Sequence, residues 1–257
     1  KYSVVLIPNS FMWWIMNSSD RIMVSSMVSV AANGIYAVSY KLPTLVSTLT
    51  AIFNQAWSYS AIREEGTEDE SDYNNKIFKA LIGIVMLIGI GILTIAKPFL
   101  SVYVSEEYYT AWKYMPFLTV GCVYLTLASF IATSYTVHKD SFGYLFSGMF
   151  GAIFNIVMNF MLIPLIGVYG ASIATCISYI LVFIFRLFHT RKYIKYSVRN
   201  KEFWVGSIIL LLSAVLMFVD SWIGFCLQCF LLIVVLCLFS DIWLPIVRKI
   251  FKLKGRQ

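Results

Sequence analysis

Three ionisable residues stand inside apolar stretches of this chain: Asp20 beside Arg21, and Lys41 in the next stretch. Charges in such surroundings are costly and face a cavity, a partner or one another. Asp20 can neutralise one base, which leaves one positive charge over. Two uses follow: a buried ion network that holds two helices together, or a charged lining for an anionic solute. A leftover positive charge serves packing poorly, which favours the anion. Lys41, Thr48 and Gln55 recur every seven residues and share one helical face. Pro43 cannot donate to the carbonyl of Ser39, which loosens the helix beside Lys41. Breaks at membrane depth are tolerated where backbone lines a cavity or is covered by protein. Asn17 lies one turn before Arg21 on the same side. A second stripe, Gly143, Ser147, Gly151, Asn155 and Asn159, is spaced by four and forms one ridge. Its small residues admit a close neighbour, and its two amides can hydrogen-bond across; helix packing is the first reading of this ridge. The candidate substrate-binding set is Arg21, Lys41, Asp20, Asn17, Gln55, Asn155 and Asn159.

Other chemistry is thinly represented. All five cysteines fall in apolar stretches. Cys226 and Cys229 have C-x-x-C spacing but no nearby histidine, so they are expected to be packed apolar residues. His138 and His189 sit at the ends of different stretches and form no metal set. No nucleophile–base pair, Gly-rich phosphate loop or metal-ligand spacing occurs in the acidic connection Arg63 to Asn75 or in the connection Lys97 to Lys113. The expectation is a protein that is not an enzyme, with no catalytic residues, cofactor or metal.

The elements that must position these residues are membrane spans. The chain has 257 residues, 60% of them hydrophobic and 13% charged, against about 45–50% and about 25% in soluble proteins. A soluble domain lacks the polar surface to cover that much apolar material, and disordered chains lack the apolar residues altogether. The net charge of +7 is spread in short runs between apolar segments, which excludes a nucleic-acid-binding patch. The fold class is therefore all-α, a polytopic membrane protein. A span takes about 20 mainly apolar residues, and eight are predicted: 3–30, 34–61, 78–97, 111–136, 142–164, 168–189, 203–220 and 222–245. The first is read as one long helix carrying two buried charges, with a break at Asn33-Gly34 before the second. Counted from the outer ends, Asp20, Arg21 and Lys41 lie at a common depth of roughly 10–15 Å. The tryptophans fall mostly toward span ends, as interfacial belts require.

Alternate connections sort the basic residues. Sixteen of the twenty, from Lys1 and Arg63 through Lys139 and Arg186 to the tail ending at Arg256, belong to one set, and Lys97 and Lys113 to the other. The first set is expected to be cytoplasmic, with both ends of the chain. The chain begins at Lys1 with a span almost at once and no cleavable signal; a trimmed chain or a missing N-terminal part explains that start.

Trp13-Trp-Ile-Met-Asn-Ser-Ser-Asp-Arg21, Asn33-Gly-Ile-Tyr-Ala-Val-Ser-Tyr-Lys-Leu-Pro43 and Phe53-Asn-Gln-Ala-Trp57 resemble the polysaccharide flippases, including the O-antigen translocases. Asn155-Ile-Val-Met-Asn159 and Ile163-Pro-Leu-Ile-Gly-Val-Tyr-Gly-Ala-Ser-Ile-Ala-Thr175 continue the likeness, which covers roughly residues 10–180. These flippases belong to the multidrug/oligosaccharidyl-lipid/polysaccharide exporter superfamily. The resemblance implies two six-helix lobes around a central cavity, worked by alternating access. This chain then looks like the second lobe, 1–190, followed by a basic cytoplasmic linker 191–202, two extra helices within 203–247 and a basic tail 248–257. The implied substrate is a lipid-linked oligosaccharide on undecaprenyl diphosphate, whose diphosphate suits Arg21 and Lys41. The implied partners are membrane lipids and a missing N-terminal lobe, with no nucleic acid, in a bacterial plasma (inner) membrane. The competing expectations are a cation-coupled multidrug exporter of the same superfamily, which would favour an uncompensated carboxylate, and a membrane polysaccharide polymerase or a structural subunit.

Overall fold

The computed structural model describes residues 18–63, 70–198 and 200–244, and among these the regular structure is entirely helical. A helix over residues 18–27 (α1) is followed by α2 (Val30–Ser39), α3 (Thr44–Arg63), α4 (Glu70–Tyr103), the short α5 (Glu106–Tyr109), α6 (Met115–Val137), α7 (Ser141–Ile166), α8 (Val168–His189), α9 (Lys201–Leu216) and α10 (Trp222–Leu238). Among them α4, α6, α7 and α8 are long and apolar enough to cross a membrane.

Local chemistry sets the boundaries. Ser29 caps α2, its hydroxyl accepting from Ala32 N at 3.0 Å. The first break therefore falls at residues 28–29, and the expected break at Asn33-Gly34 lies inside α2 instead. Gly34 is there for packing, since a Cβ would stand 3.3 Å from the Tyr108 ring. The second predicted span is split, because residues 40–43 form a turn ending at Pro43. Glu70 and Asp72 occupy the first turn of α4, where their charge complements the helix dipole. That helix consequently begins well before residue 78, and it runs on past Pro98. Asp140 caps α7 through Gly143 N at 2.8 Å. Gly167 has φ +59° at the α7–α8 turn, a conformation side-chain-bearing residues avoid. Gly170 lies against the Leu162 carbonyl, where a Cβ would come within 2.5 Å.

Helix α6 is buried on nearly every side, packed among α3, α4, α8 and α9. Trp57, Phe130 and Phe78 stack in series at 5.5 Å, with Tyr196 against both phenylalanines. Trp57 is thus a core residue rather than part of an interfacial belt. The expected ridge of α7, Gly143 through Asn159, is buried along α8, while Phe142, Phe146, Phe150, Ile153, Val157 and Phe160 are exposed on its other side. Helices α9 and α10, of 16 and 17 residues, pack on α4 and on one another. Cys226 is exposed on α10, contrary to the packed placement expected of it, and Cys229 is half-buried; Cys237 is exposed as well.

The connections gather at two ends. At one, Lys97 pairs with Asp220 and the rings of Tyr114 and Tyr169 meet at 4.9 Å. At the other, Lys79 pairs with Glu202 at 2.8 Å, Lys192 with Asp140 at 2.9 Å, and Asn75 accepts from Ser197 N at 2.7 Å. This is the grouping that the alternating basic connections required. Arg186 departs from it: it is fully buried rather than part of a connection.

Candidate functional site

Asp20 projects from α1 into the contact between α7 and α8 and is 1% exposed. Its Oδ1 accepts from Asn159 Nδ2 at 2.6 Å. Its Oδ2 accepts from Thr175 Oγ1 at 2.6 Å, Tyr36 OH at 3.2 Å and Tyr40 OH at 3.4 Å. Asn155 completes the group: its Oδ1 accepts from Asn159 Nδ2 at 3.2 Å and Ser19 Oγ at 3.3 Å, and its Nδ2 donates to Thr175 Oγ1 at 3.4 Å. Helix α2 supplies both tyrosines one turn apart, α7 both amides one turn apart, and α8 the threonine. The small residues of the α7 ridge permit this convergence by bringing α8 close.

Every donor to Asp20 is neutral. Among the described residues it makes no ion pair, so the neutralisation of one base expected of it does not occur. The buried Oδ1 of Asn159 meets no donor. One carboxylate beside an unpartnered amide oxygen and hydroxyl oxygens can take up a proton or a hard monovalent cation. A divalent ion wants more anionic ligands, and among the described residues no group of three or more His, Cys, Asp or Glu comes together.

The bases lie elsewhere. Arg21 is exposed and borders a recess of about 380 Å³ with Ile22, Ser25, Ser26 and Asn33. Lys41, Thr44, Thr48 and Gln55 are all exposed, as one stripe along the break and α3, while Val46, Thr50 and Trp57 of the same helix are buried. Arg21 and Lys41 directly follow Asp20 and Tyr40, whose side chains meet at 3.4 Å. The predicted set therefore divides: Asp20, Asn155 and Asn159 meet in the buried cage, Arg21, Lys41 and Gln55 stand on exposed surface, and Asn17 lies outside the described residues.

Tyr36, Tyr40 and Thr175 were not singled out from sequence. Tyr36 and Tyr40 share a face at i, i+4, but nothing in their spacing says that a carboxylate sits opposite. Arg186 was also missed. Its Nε donates to Ser147 Oγ at 3.0 Å and its Nη1 to the Ala128 carbonyl at 3.0 Å, below the Tyr144 ring at 5.3 Å.

No family model matches the chain. An uncharacterized membrane protein of Methanocaldococcus jannaschii is 24% identical over 185 residues, 70% of this chain and 34% of that protein. A MOP superfamily transporter from Pyrococcus furiosus, described by a reverse polarity of its binding pocket, superposes with a TM-score of 0.61 at 21% identity, covering 84% of this chain and 51% of that one. A multidrug resistance MATE family transporter of the MOP superfamily, in an outward-facing conformation, gives 0.60 at 20% identity over 84% and 51%. The lipid II flippase MurJ, in an inward closed conformation, gives 0.53 at 16% identity over 88% and 53%. The chain has the fold of these polytopic membrane transporters and spans about half their length, and about a third of the curated relative.

Proposed function

We propose that this chain forms one lobe of a membrane flippase that carries a lipid-linked oligosaccharide diphosphate across the plasma membrane by alternating access. The observation that carries this reading is the separation of charges. Asp20 is turned into a neutral cage, so Arg21 and Lys41 stand on exposed surface without it. Both bases are then available to an anion, and among the described residues neither is paired with a carboxylate. The diphosphate of an undecaprenyl-linked sugar unit is such an anion, and the exposed hydroxyls and amide of Thr44, Thr48 and Gln55 offer hydrogen bonds to its sugars. A second lobe of similar fold would close the path from the other side. On the positive-inside rule the lysine-rich end faces the cytoplasm.

The test is Lys41→Ala in the natural full-length protein. Surface polysaccharide per correctly inserted molecule should fall at least about tenfold, as expected when a desolvated charge contact of about 1.5–3 kcal/mol is lost, with thermal stability nearly unchanged. Lys41→Arg should keep part of the activity, because the charge persists while its shape changes. Normal specific activity in Lys41→Ala would sink the substrate role.

A second reading, a cation-coupled exporter of the same superfamily, is favoured by the uncompensated Asp20. In that reading Asp20 takes a proton or a monovalent cation on one side and gives it up on the other. Asp20→Asn would then abolish the response of transport to an imposed ion gradient. A response that survives in Asp20→Asn removes this reading and leaves the first intact.

A further inference from the structure

A cavity of about 550 Å³ opens where α4, α9 and α10 meet, at the end of the bundle opposite the lysine-rich one. Its mouth carries two adjacent opposite charges. Lys97 pairs with Asp220 and also lies 3.8 Å over the Trp112 ring, so its ammonium is held from two sides. The Asp220 side chain lines the cavity and is 75% exposed. Leu216, Met217 and Phe225 give the cavity apolar walls, and the buried Gln228, about two turns along α10 from Ser221, lines it as well. From Trp222 to Gln228 along α10 is about 9 Å. Trp222, which also lines the cavity, is exposed at this end of α10, where membrane proteins place interfacial anchors. A charged mouth over an apolar interior, at a helix end of a membrane protein, is shaped for an amphiphile rather than for a water-soluble solute.

The charge pattern selects the headgroup. An anionic headgroup would reach Lys97 only beside the carboxylate of Asp220, which repels it. A zwitterion brings no net charge and can answer both residues at once, phosphate on Lys97 and ammonium on Asp220. A quaternary amine has no N–H to donate to the carboxylate, whereas a primary amine does. We propose that this cavity binds a bulk phospholipid with a primary-amine headgroup, phosphatidylethanolamine, its phosphate on Lys97, its ammonium on Asp220 and the start of one acyl chain against Leu216, Met217 and Phe225. The site lies on α4, α9 and α10, apart from Arg21, Lys41 and Asp20, and does not rest on the transport reading.

The experiment uses the natural full-length protein, purified in detergent and stripped of lipid. Binding of phosphatidylethanolamine, phosphatidylcholine, phosphatidylglycerol and a polyprenyl phosphate is compared by native mass spectrometry and thermal stabilisation. Phosphatidylethanolamine should bind about threefold or more tightly than the others, the scale of a partly exposed charge pair. Asp220→Asn should erase its advantage over phosphatidylcholine, and Lys97→Gln should weaken both. Because Asp220 is mostly exposed, its variant keeps the test decisive even if Lys97→Gln fails to fold. Equal binding of the two zwitterionic lipids overturns the proposal. So does a preference for phosphatidylglycerol or polyprenyl phosphate, or an unchanged preference in Asp220→Asn.

Discussion

Asp20 and Arg186 are both about 1% exposed, and the same ridge of α7 serves both. Ser147 accepts from the guanidinium near one end of the ridge, and Asn155 and Asn159 lie beside the carboxylate about two to three turns further on. The surroundings differ in kind. Arg186 meets a backbone carbonyl that is held in place by α6, together with a hydroxyl and an aromatic face. Asp20 meets side chains that can turn, among them the Asn159 amide, whose Oδ1 meets no donor. A charge solvated by fixed groups fastens helices together, whereas a charge solvated by movable ones can change its protonation or its ligand without unfolding the bundle. One structural stripe thus supports a fastener at one end and a responsive site at the other.

The largest effect expected from this contrast is at Arg186. Arg186→Ala removes a donor from the Ser147 hydroxyl and the additional donor from the Ala128 carbonyl, and opens a hole between α6, α7 and α8. It should cost about 2–5 kcal/mol, as truncating a large buried side chain does, read as a large fall in thermal stability in detergent, with transport lost only in proportion to abundance. Next is Thr175→Val, which keeps volume but removes the 2.6 Å donor to Asp20. A hydrogen bond to an ionised group is worth about 1.5–3 kcal/mol. Combining it with Asp20→Asn should shrink that cost, and additive losses in the double variant would show that Thr175 does not act through the carboxylate.

Asp140 provides a control outside the membrane. Its partial burial favours the neutral form, but Lys192, the Gly143 amide and Tyr193 outweigh this and hold its carboxyl below the usual carboxylate range. Glu202 is likewise lowered, chiefly by Lys79. Depressed values mean that their stabilisation is fully present above the ordinary carboxylate pKa of about 4 and is lost as pH falls through the lower folded values. Asp140→Ala should cost about 1 kcal/mol through the lost cap and flatten the acid limb of a pH–stability profile, whereas Asp140→Asn should keep most of the cap. An unchanged acid limb in both would mean the ion pair with Lys192 is screened away.

The smallest stability effect belongs to Asp20→Asn. The new amide can accept from Thr175 and the tyrosines through its oxygen while the Asn159 amide turns to accept from its nitrogen. Stability should change by less than about 1 kcal/mol, since removing a buried charge offsets the weaker hydrogen bonds. A loss as large as that of Arg186→Ala would erase the distinction between the two buried charges and make Asp20 a fastener as well.

The sequence by itself determined the class of molecule and much of its framework. Sixty per cent hydrophobic composition leaves no soluble alternative, the spacing by four on α7 marks its buried ridge, and the placement of lysines sorts the connections into two ends, because each follows from a period or a sum that needs no knowledge of neighbours. Only the tertiary structure decided who partners whom. Asp20 adjoins Arg21 in sequence yet meets Thr175, Asn159, Tyr36 and Tyr40, since successive helical residues point about 100° apart and cannot share one face. Arg186 reads as the edge of a basic connection, but the close approach of α7 and α8 encloses it. The break falls at residues 28–29 because Ser29 finds the Ala32 amide, while Gly34, the stronger breaker by propensity, stays helical against Tyr108. In each case the deciding energy comes from a group distant in sequence or from a local hydrogen bond, and neither appears in residue periodicity.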